Sequence, residues 1–304
     1  MNEWGYVYLD IRHPIVAWMV YRGTVQSSDQ SSTPGMLSFF AMNTLRRHPS
    51  AMLVEREGRF EGARQFHCPE KLSRLTSVFA YPDLASAEEG ARQGHFKIGN
   101  LAAIMPKDDN FRREVYDSAY IDNYSSLMPD QAARDYWVGI TPGSSTHREM
   151  LLSGSFFVLG TKLREQAKKV IWALGKEVRL ALEISRLAAA LGSDIGSVYP
   201  IAEKNENDAN GVIRYLIRWD DNECADLVRQ AMARFEANPN FYLDLEALAP
   251  LRAPAAQRDS KMFGFPDFRG KLLYSVSQQT TNVMQAASFD YVSRQQAAAA
   301  IGGN

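Results

Sequence analysis

The sequence is poor in the residues that build thiol, metal and phosphate-loop chemistry. Its 304 residues include 2 cysteines, Cys68 and Cys224. They lie far apart without the close pairing of a zinc or redox motif, so two free thiols in a reducing compartment are expected. The 5 histidines, His13, His48, His67, His95 and His147, contain no helical two-histidine pair, and no Asp/Asn-dense calcium loop occurs; no metal is expected. No glycine-rich phosphate loop and no G-x-G-x-x-G fingerprint is present, which argues against a conventional ATPase or NAD dehydrogenase. There is no apolar run of about 20 residues to span a bilayer. The start, Met1-Asn2-Glu3-Trp4, lacks the charged and apolar regions of a secretory signal, so a cytoplasmic protein is expected, with delivery into another cell left open. Net charge is scarce too: 34 basic against 35 acidic side chains create no global field that would gather nucleic acid or an anionic membrane.

What is present is an ordinary globular composition. With 45% hydrophobic and 23% charged residues the chain falls outside the signature of disorder and is expected to fold. Its length reaches the roughly 250–300 residues at which single cores stop growing, so two structural units are expected.

Residues 6–11 and 15–22, rich in β-branched and aromatic types and separated by His13-Pro14, predict two strands. A polar loop over Gln26–Thr33 leads to a helix that begins at Pro34 and ends near Arg47. The stretch from Ala51 to Lys71 shows no clear pattern. A strand follows at Leu75–Tyr81, then a helix capped by Asp83 and running to about Gln93. Strands at Phe96–Met105 and Val115–Tyr124 and a short helix at Asp130–Trp137 come next. The apolar runs Glu149–Leu152 and Phe156–Leu159, joined by Ser153-Gly154-Ser155, read as a hairpin-like pair. From Thr161 to about Leu191 apolar residues recur three and four apart, predicting one long helix with a basic outer face. A polar loop at 202–211, a strand at Val212–Trp219 and a helix from Asn222 to about Phe235 complete the regular pattern, and residues 295–304 are expected to fray.

Three segments carry the candidate chemistry. Val20-Tyr21-Arg22-Gly23 places an arginine at the end of an apolar run, with a glycine behind it. Leu75-Thr76-Ser77-Val78-Phe79 places two adjacent hydroxyls in an apolar strand, where each needs a partner or costs about 1–3 kcal/mol. His147-Arg148-Glu149-Met150-Leu151-Leu152 places a carboxylate at the head of an apolar strand. Each alone reads equally as structure: a surface arginine, a common strand threonine, a solvated edge glutamate.

Together, in the order Arg22, Thr76-Ser77, Glu149, they resemble the arginine–serine–glutamate class of ADP-ribosyltransferases, which includes many bacterial toxins and the vertebrate arginine-specific ectoenzymes. The resemblance covers roughly residues 15–160. It departs at Leu75, where the family motif begins with serine, and at His147, where members that modify arginine carry glutamate and several others glutamine. It implies an α+β fold with a split β-sheet core: a catalytic domain at 1–160, followed by a mainly helical α+β region at 161–304. It also implies NAD as a substrate and a macromolecular acceptor, a protein rather than nucleic acid, in a setting such as bacterial conflict, with no membrane partner.

By the same resemblance Glu149 stabilises the positive charge that develops on the ribose as nicotinamide leaves. Arg22, with Gly23 behind it, clamps the diphosphate or ribose. Ser77 beside Thr76 holds the glutamate and supports the nicotinamide pocket, Tyr81 or Phe79 stacks on nicotinamide, and His147 faces the acceptor. Three alternatives stay open. They are an NAD glycohydrolase with the same site, a binding or scaffold protein without the chemistry, and a nucleic-acid regulator using the long basic helix.

Overall fold

The structure is a computed structural model in which residues 5–29, 37–41, 51–92, 100–122, 129–140, 148–173, 176–204, 210–219, 221–237, 262–264 and 274–277 are described. The chain runs β1 (Gly5–Tyr8), α1 (Pro14–Arg22), β2 (Thr24–Gln26), α2 (Ala51–His67), β3 (Val78–Ala80), α3 (Leu84–Arg92), β4 (Leu101–Pro106) and β5 (Arg112–Asp117). Then follow α4 (Ala119–Asp122), α5 (Pro129–Val138), β6 (Arg148–Ser153), β7 (Ser155–Val158), α6 (Thr161–Trp172) and α7 (Lys176–Ala190). The described residues close with β8 (Val198–Lys204), β9 (Asn210–Arg218), α8 (Asp221–Ala237), β10 (Met262–Gly264) and β11 (Tyr274–Ser277). This is a mixed α+β protein in which every described strand pairing is antiparallel.

Two sheets form the first half. One has the order β1-β4-β7-β2 and the other β3-β6-β5. A third sheet centres on β9, with β8 along one edge and β10 and β11 along the other. The first two sheets meet where β6 runs into β7. The expected hairpin is corrected here: β6 and β7 do not pair with each other, but lie in different sheets on either side of Gly154. Gly154 has φ 121°, a conformation a side chain resists, and that bend redirects the strand from one sheet to the other.

The expected strand at 15–22 is also corrected, to helix α1. His13 takes the extended N-cap conformation and its Nδ1 accepts from the Ile15 amide at 3.2 Å, with Pro14 in the first turn. Gly23 ends the helix in the left-handed region at φ 93°, its amide donating to the Met19 carbonyl at 2.9 Å. Residues Ile15 to Arg22 are all buried, and a helix buried on every side shows no polar stripe to betray its period.

The patternless stretch after Ala51 is the 17-residue helix α2. Its buried face carries Glu57, Glu61 and Arg64 beside Phe60, so charge sits where an apolar stripe would show. The expected strand at Leu75–Tyr81 shortens to β3, and Thr76 and Ser77 stand in the turn before it, the Ser77 amide donating to the Ser73 carbonyl at 3.0 Å. Asp83 caps α3 as expected, accepting from the Ser86 amide at 2.7 Å. The strand expected at Val115–Tyr124 begins earlier, as β5, and gives way to α4. The long helix expected from Thr161 is two helices, α6 and α7, and β8 and β9 extend into the expected polar loop. Most of the helix expected at Pro34–Arg47, and the tail at 295–304, lie outside the described residues.

The main core joins Val7, Val20, Ile104, Met150, Phe156 and Val158 to Leu163, Ile171, Leu182 and Ile217, so it continues across Thr161. Helix α1 packs against both α6 and α7. A second core gathers Phe60, Tyr116, Tyr136, Trp137 and Leu151 between α2, α5 and the β3-β6-β5 sheet. Alternation along β6 divides these cores, Met150 and Leu152 entering the first and Leu151 the second.

Candidate active site

Glu149 stands on the same side of β6 as Leu151, at the edge of the aromatic core. Its register partner on β5 is Tyr116, whose ring stacks on Tyr136 of α5 with centroids 4.6 Å apart. Phe60 and Trp137 meet the Tyr136 ring edge-on at 5.2 and 4.8 Å. The Trp137 indole N–H donates to the Phe60 carbonyl at 2.6 Å, locking α5 to α2.

Two donors converge on one oxygen of Glu149. Arg74 Nη1 and the Tyr136 hydroxyl both donate to Oε1, and Arg74 Nη1 also lies 3.2 Å from the Tyr136 oxygen. The second oxygen, Oε2, accepts from no group among the described residues and is not sealed from solvent. The site thus fixes a carboxylate by one oxygen and leaves the other open.

Arg74 reaches this position from the turn ahead of β3. Its Nε donates to Glu57 Oε2 at 3.0 Å, and its guanidinium lies over the Phe79 ring, 4.9 Å from the centroid. Burial opposes the charge of Arg74, yet Glu149 and Glu57 hold its pKa well above the ordinary value. Glu57 is bound from its other side by Arg56 at 2.9 Å. Burial would raise its pKa, but Arg74 and Arg56 prevail and hold it down to about 2. For Tyr136, burial and the neighbouring Glu149 push the phenol well up, so the hydroxyl stays protonated and donates. Two guanidiniums, Arg56 and Arg74, therefore face two carboxylates, Glu57 and Glu149.

The hydroxyl expected to hold Glu149 was that of Ser77. The structure gives that contact to Tyr136, and places Ser77 one residue beyond the Val78–Leu152 pairing, toward Gly154. Ser77 is 1% exposed and its Oγ has no hydrogen-bond partner among the described residues. Thr76 is buried, and its carbonyl accepts from the Ser28 amide at 2.8 Å.

Arg22 is not brought to Glu149. At the end of α1 it is 3% exposed, and its guanidinium donates to the Ile195 carbonyl at 3.2 Å, to the Ser193 carbonyl at 3.0 Å and to Thr24 Oγ1. Gly23 is the helix terminator beside it. The Tyr81 ring lies against Gly90 of α3, where an added Cβ would fall 2.6 Å from the phenol oxygen. Phe79 carries Arg74. His147 lies outside the described residues.

Arg74, Tyr136 and Glu57 are the functional candidates that sequence reasoning did not single out. The signal for Arg74 was a charge set in the otherwise uncharged run Ser73–Phe79. Among the described residues no group of acidic, histidine and cysteine side chains is placed to hold a metal ion, and no helix is long and apolar enough to cross a membrane. Comparisons with protein-family models, with curated proteins and with solved structures return no match.

Proposed function

We propose that this protein is an NAD-dependent mono-ADP-ribosyltransferase that moves ADP-ribose from NAD to a macromolecular acceptor, a protein rather than nucleic acid, and releases nicotinamide. The observation that carries this reading is Glu149, held through Oε1 by Arg74 and Tyr136 with Oε2 open. Its place at the head of the strand that passes from one sheet to the next supports the reading, as does the order of motifs in the sequence.

The residues have the properties the reaction requires. When the bond between ribose C1′ and the nicotinamide nitrogen breaks, the electron pair leaves with neutral nicotinamide and positive charge develops on the sugar. A carboxylate already fixed in place stabilises that charge without reorganising, and its open oxygen can accept a hydrogen bond from a ribose hydroxyl. The acceptor nucleophile then bonds to C1′ and gives up its proton. Arg74 and Tyr136 are positioning residues in this scheme.

The test is nicotinamide release from NAD by the purified protein, with and without cell lysate, in wild type and Glu149→Ala. Loss of a catalytic group costs on the order of 10²–10⁴-fold, and release should fall by that much. Release that needs lysate marks a transferase, and release without it an NAD glycohydrolase. No release under either condition overturns the enzyme reading and leaves a binding protein.

A further inference from the structure

Glu149 keeps one oxygen open although a buried arginine stands beside it. A guanidinium that faces a single carboxylate tends to grip both oxygens, two parallel N–H groups forming a fork. Arg74 does not treat Glu149 this way: Nη1 alone donates to it, and to Oε1 alone. The fork is made elsewhere. Arg74 Nε donates to Glu57 Oε2 at 3.0 Å and Nη2 to Glu57 Oε1 at 3.4 Å, two nitrogens on two oxygens. With that edge of the guanidinium taken, Nη1 is left to serve Glu149 Oε1 and the Tyr136 hydroxyl, the latter at 3.2 Å.

Glu57 is well placed to dictate this orientation. It is buried on α2, and Arg56 donates to its Oε1 at 2.9 Å from the side away from Arg74. The Phe60, Phe79 and Tyr136 rings lie 5.9, 4.9 and 5.5 Å from the central carbon of the Arg74 guanidinium. Arg74 is itself buried, so water is a poor substitute for a lost partner. Among the described residues, the carboxylates that reach it are Glu57 and Glu149. A nitrogen released by one therefore has the other to turn to.

We propose that Glu57 is a positioning residue that keeps Glu149 Oε2 open, by occupying the edge of Arg74 that would otherwise close over both oxygens of Glu149. Without the carboxylate at 57, Nη2 swings to Oε2, and Glu149 loses the acceptor it would offer a sugar hydroxyl. The consequence for catalysis rests on the transferase reading, because there the open oxygen meets the ribose. The geometric consequence does not depend on it. Glu57 touches neither NAD nor Glu149 in this scheme, and acts wholly through Arg74.

The experiment joins the crystal structure of Glu57→Gln to nicotinamide release from NAD by wild type and variant, at a temperature where both are folded. In the variant, Arg74 should donate to both oxygens of Glu149. The kcat should fall about tenfold or more, the worth of one hydrogen bond to a charged group, with KM for NAD changing less. Glu57→Asp keeps the charge and guards against misfolding of the glutamine variant. Its carboxylate, withdrawn by one methylene, should release the fork, turn Arg74 toward Oε2 and lower kcat by a smaller factor. Arg74→Lys separates positioning from simple structural support: an ammonium has no fork to misdirect, so in that background Glu57→Gln should change kcat less than twofold. Arg74 remaining on Oε1 alone in the variant structures, or an equal loss of kcat in both backgrounds, overturns the proposal. Absence of release from wild type overturns the enzyme reading instead, and the position of Arg74 in the variant structures then still decides whether Glu57 keeps Oε2 open.

Discussion

Replacing Glu57 with glutamine keeps the shape of the side chain but leaves Arg56 and Arg74 facing a neutral amide. The carboxylate it removes is 5% exposed and bound at 2.9 and 3.0 Å. The two guanidiniums lower its pKa from 4.5 to about 2 against the opposing effect of burial. At about 1.4 kcal/mol per tenfold change in proton affinity, that shift is worth roughly 3 kcal/mol of stability. Because the folded state has the lower pKa, the contribution is complete above the unfolded value of 4.5 and is lost as pH falls toward about 2. Urea unfolding of wild type and Glu57→Gln across this range is the assay. At neutral pH the variant should be less stable by about 3 kcal/mol, or roughly 6–12 °C in Tm, with the gap closing steadily in acid. A gap that stays constant from neutral pH down to about pH 3 would show that the arginines do not depress Glu57, and the reasoning would fail.

Tyr136→Phe removes one of the two donors to Glu149 while keeping the stacked ring. A hydrogen bond to a charged acceptor is worth about 1.5–3 kcal/mol, so kcat for nicotinamide release should fall about tenfold or more while KM for NAD moves little; steady-state kinetics reads both. Gly196→Ala should destabilise by about 2–4 kcal/mol in thermal unfolding, since Gly196 has φ 76° and an added Cβ would fall 2.0 Å from Ser185 Oγ. Arg22→Met should lower stability by about 2–4 kcal/mol, because the Ile195 and Ser193 carbonyls lose their donor. An unchanged Tm would instead free Arg22 for the diphosphate role that the family resemblance implies.

Glu149 was legible in the sequence because the cue was local, a carboxylate directly ahead of the apolar run Met150–Leu152. Its partners were not, because Arg74 lies 75 residues away in a turn and Tyr136 sits on a separate helix. Only the packing of α2 and α5 against the β3-β6-β5 sheet brings them together. Sequence reading succeeded for α3, from its Asp83 cap, and for α5. It failed for α1, whose apolar side chains are buried all round, and for α2, whose buried face carries charge. The turn at Gly154 was visible as small residues between apolar runs. What sequence could not show is that the runs it joins belong to different sheets, because a tight hairpin and a bend give the same signature.

That bend makes strand register a shared property of the two sheets. A strand slipping by one residue turns every side chain to the opposite face. In this molecule a slip of β6 against β3 and β5 would swing Glu149 away from Arg74, and it would drag β7 along β2 and β4 as well. Phe156 and Val158, 0% and 2% exposed, would have to leave the core at the same time. Misalignment of the glutamate is thus penalised by the apolar packing of a sheet to which it does not belong, so the alignment of the carboxylate is enforced from a distance by residues that never touch it.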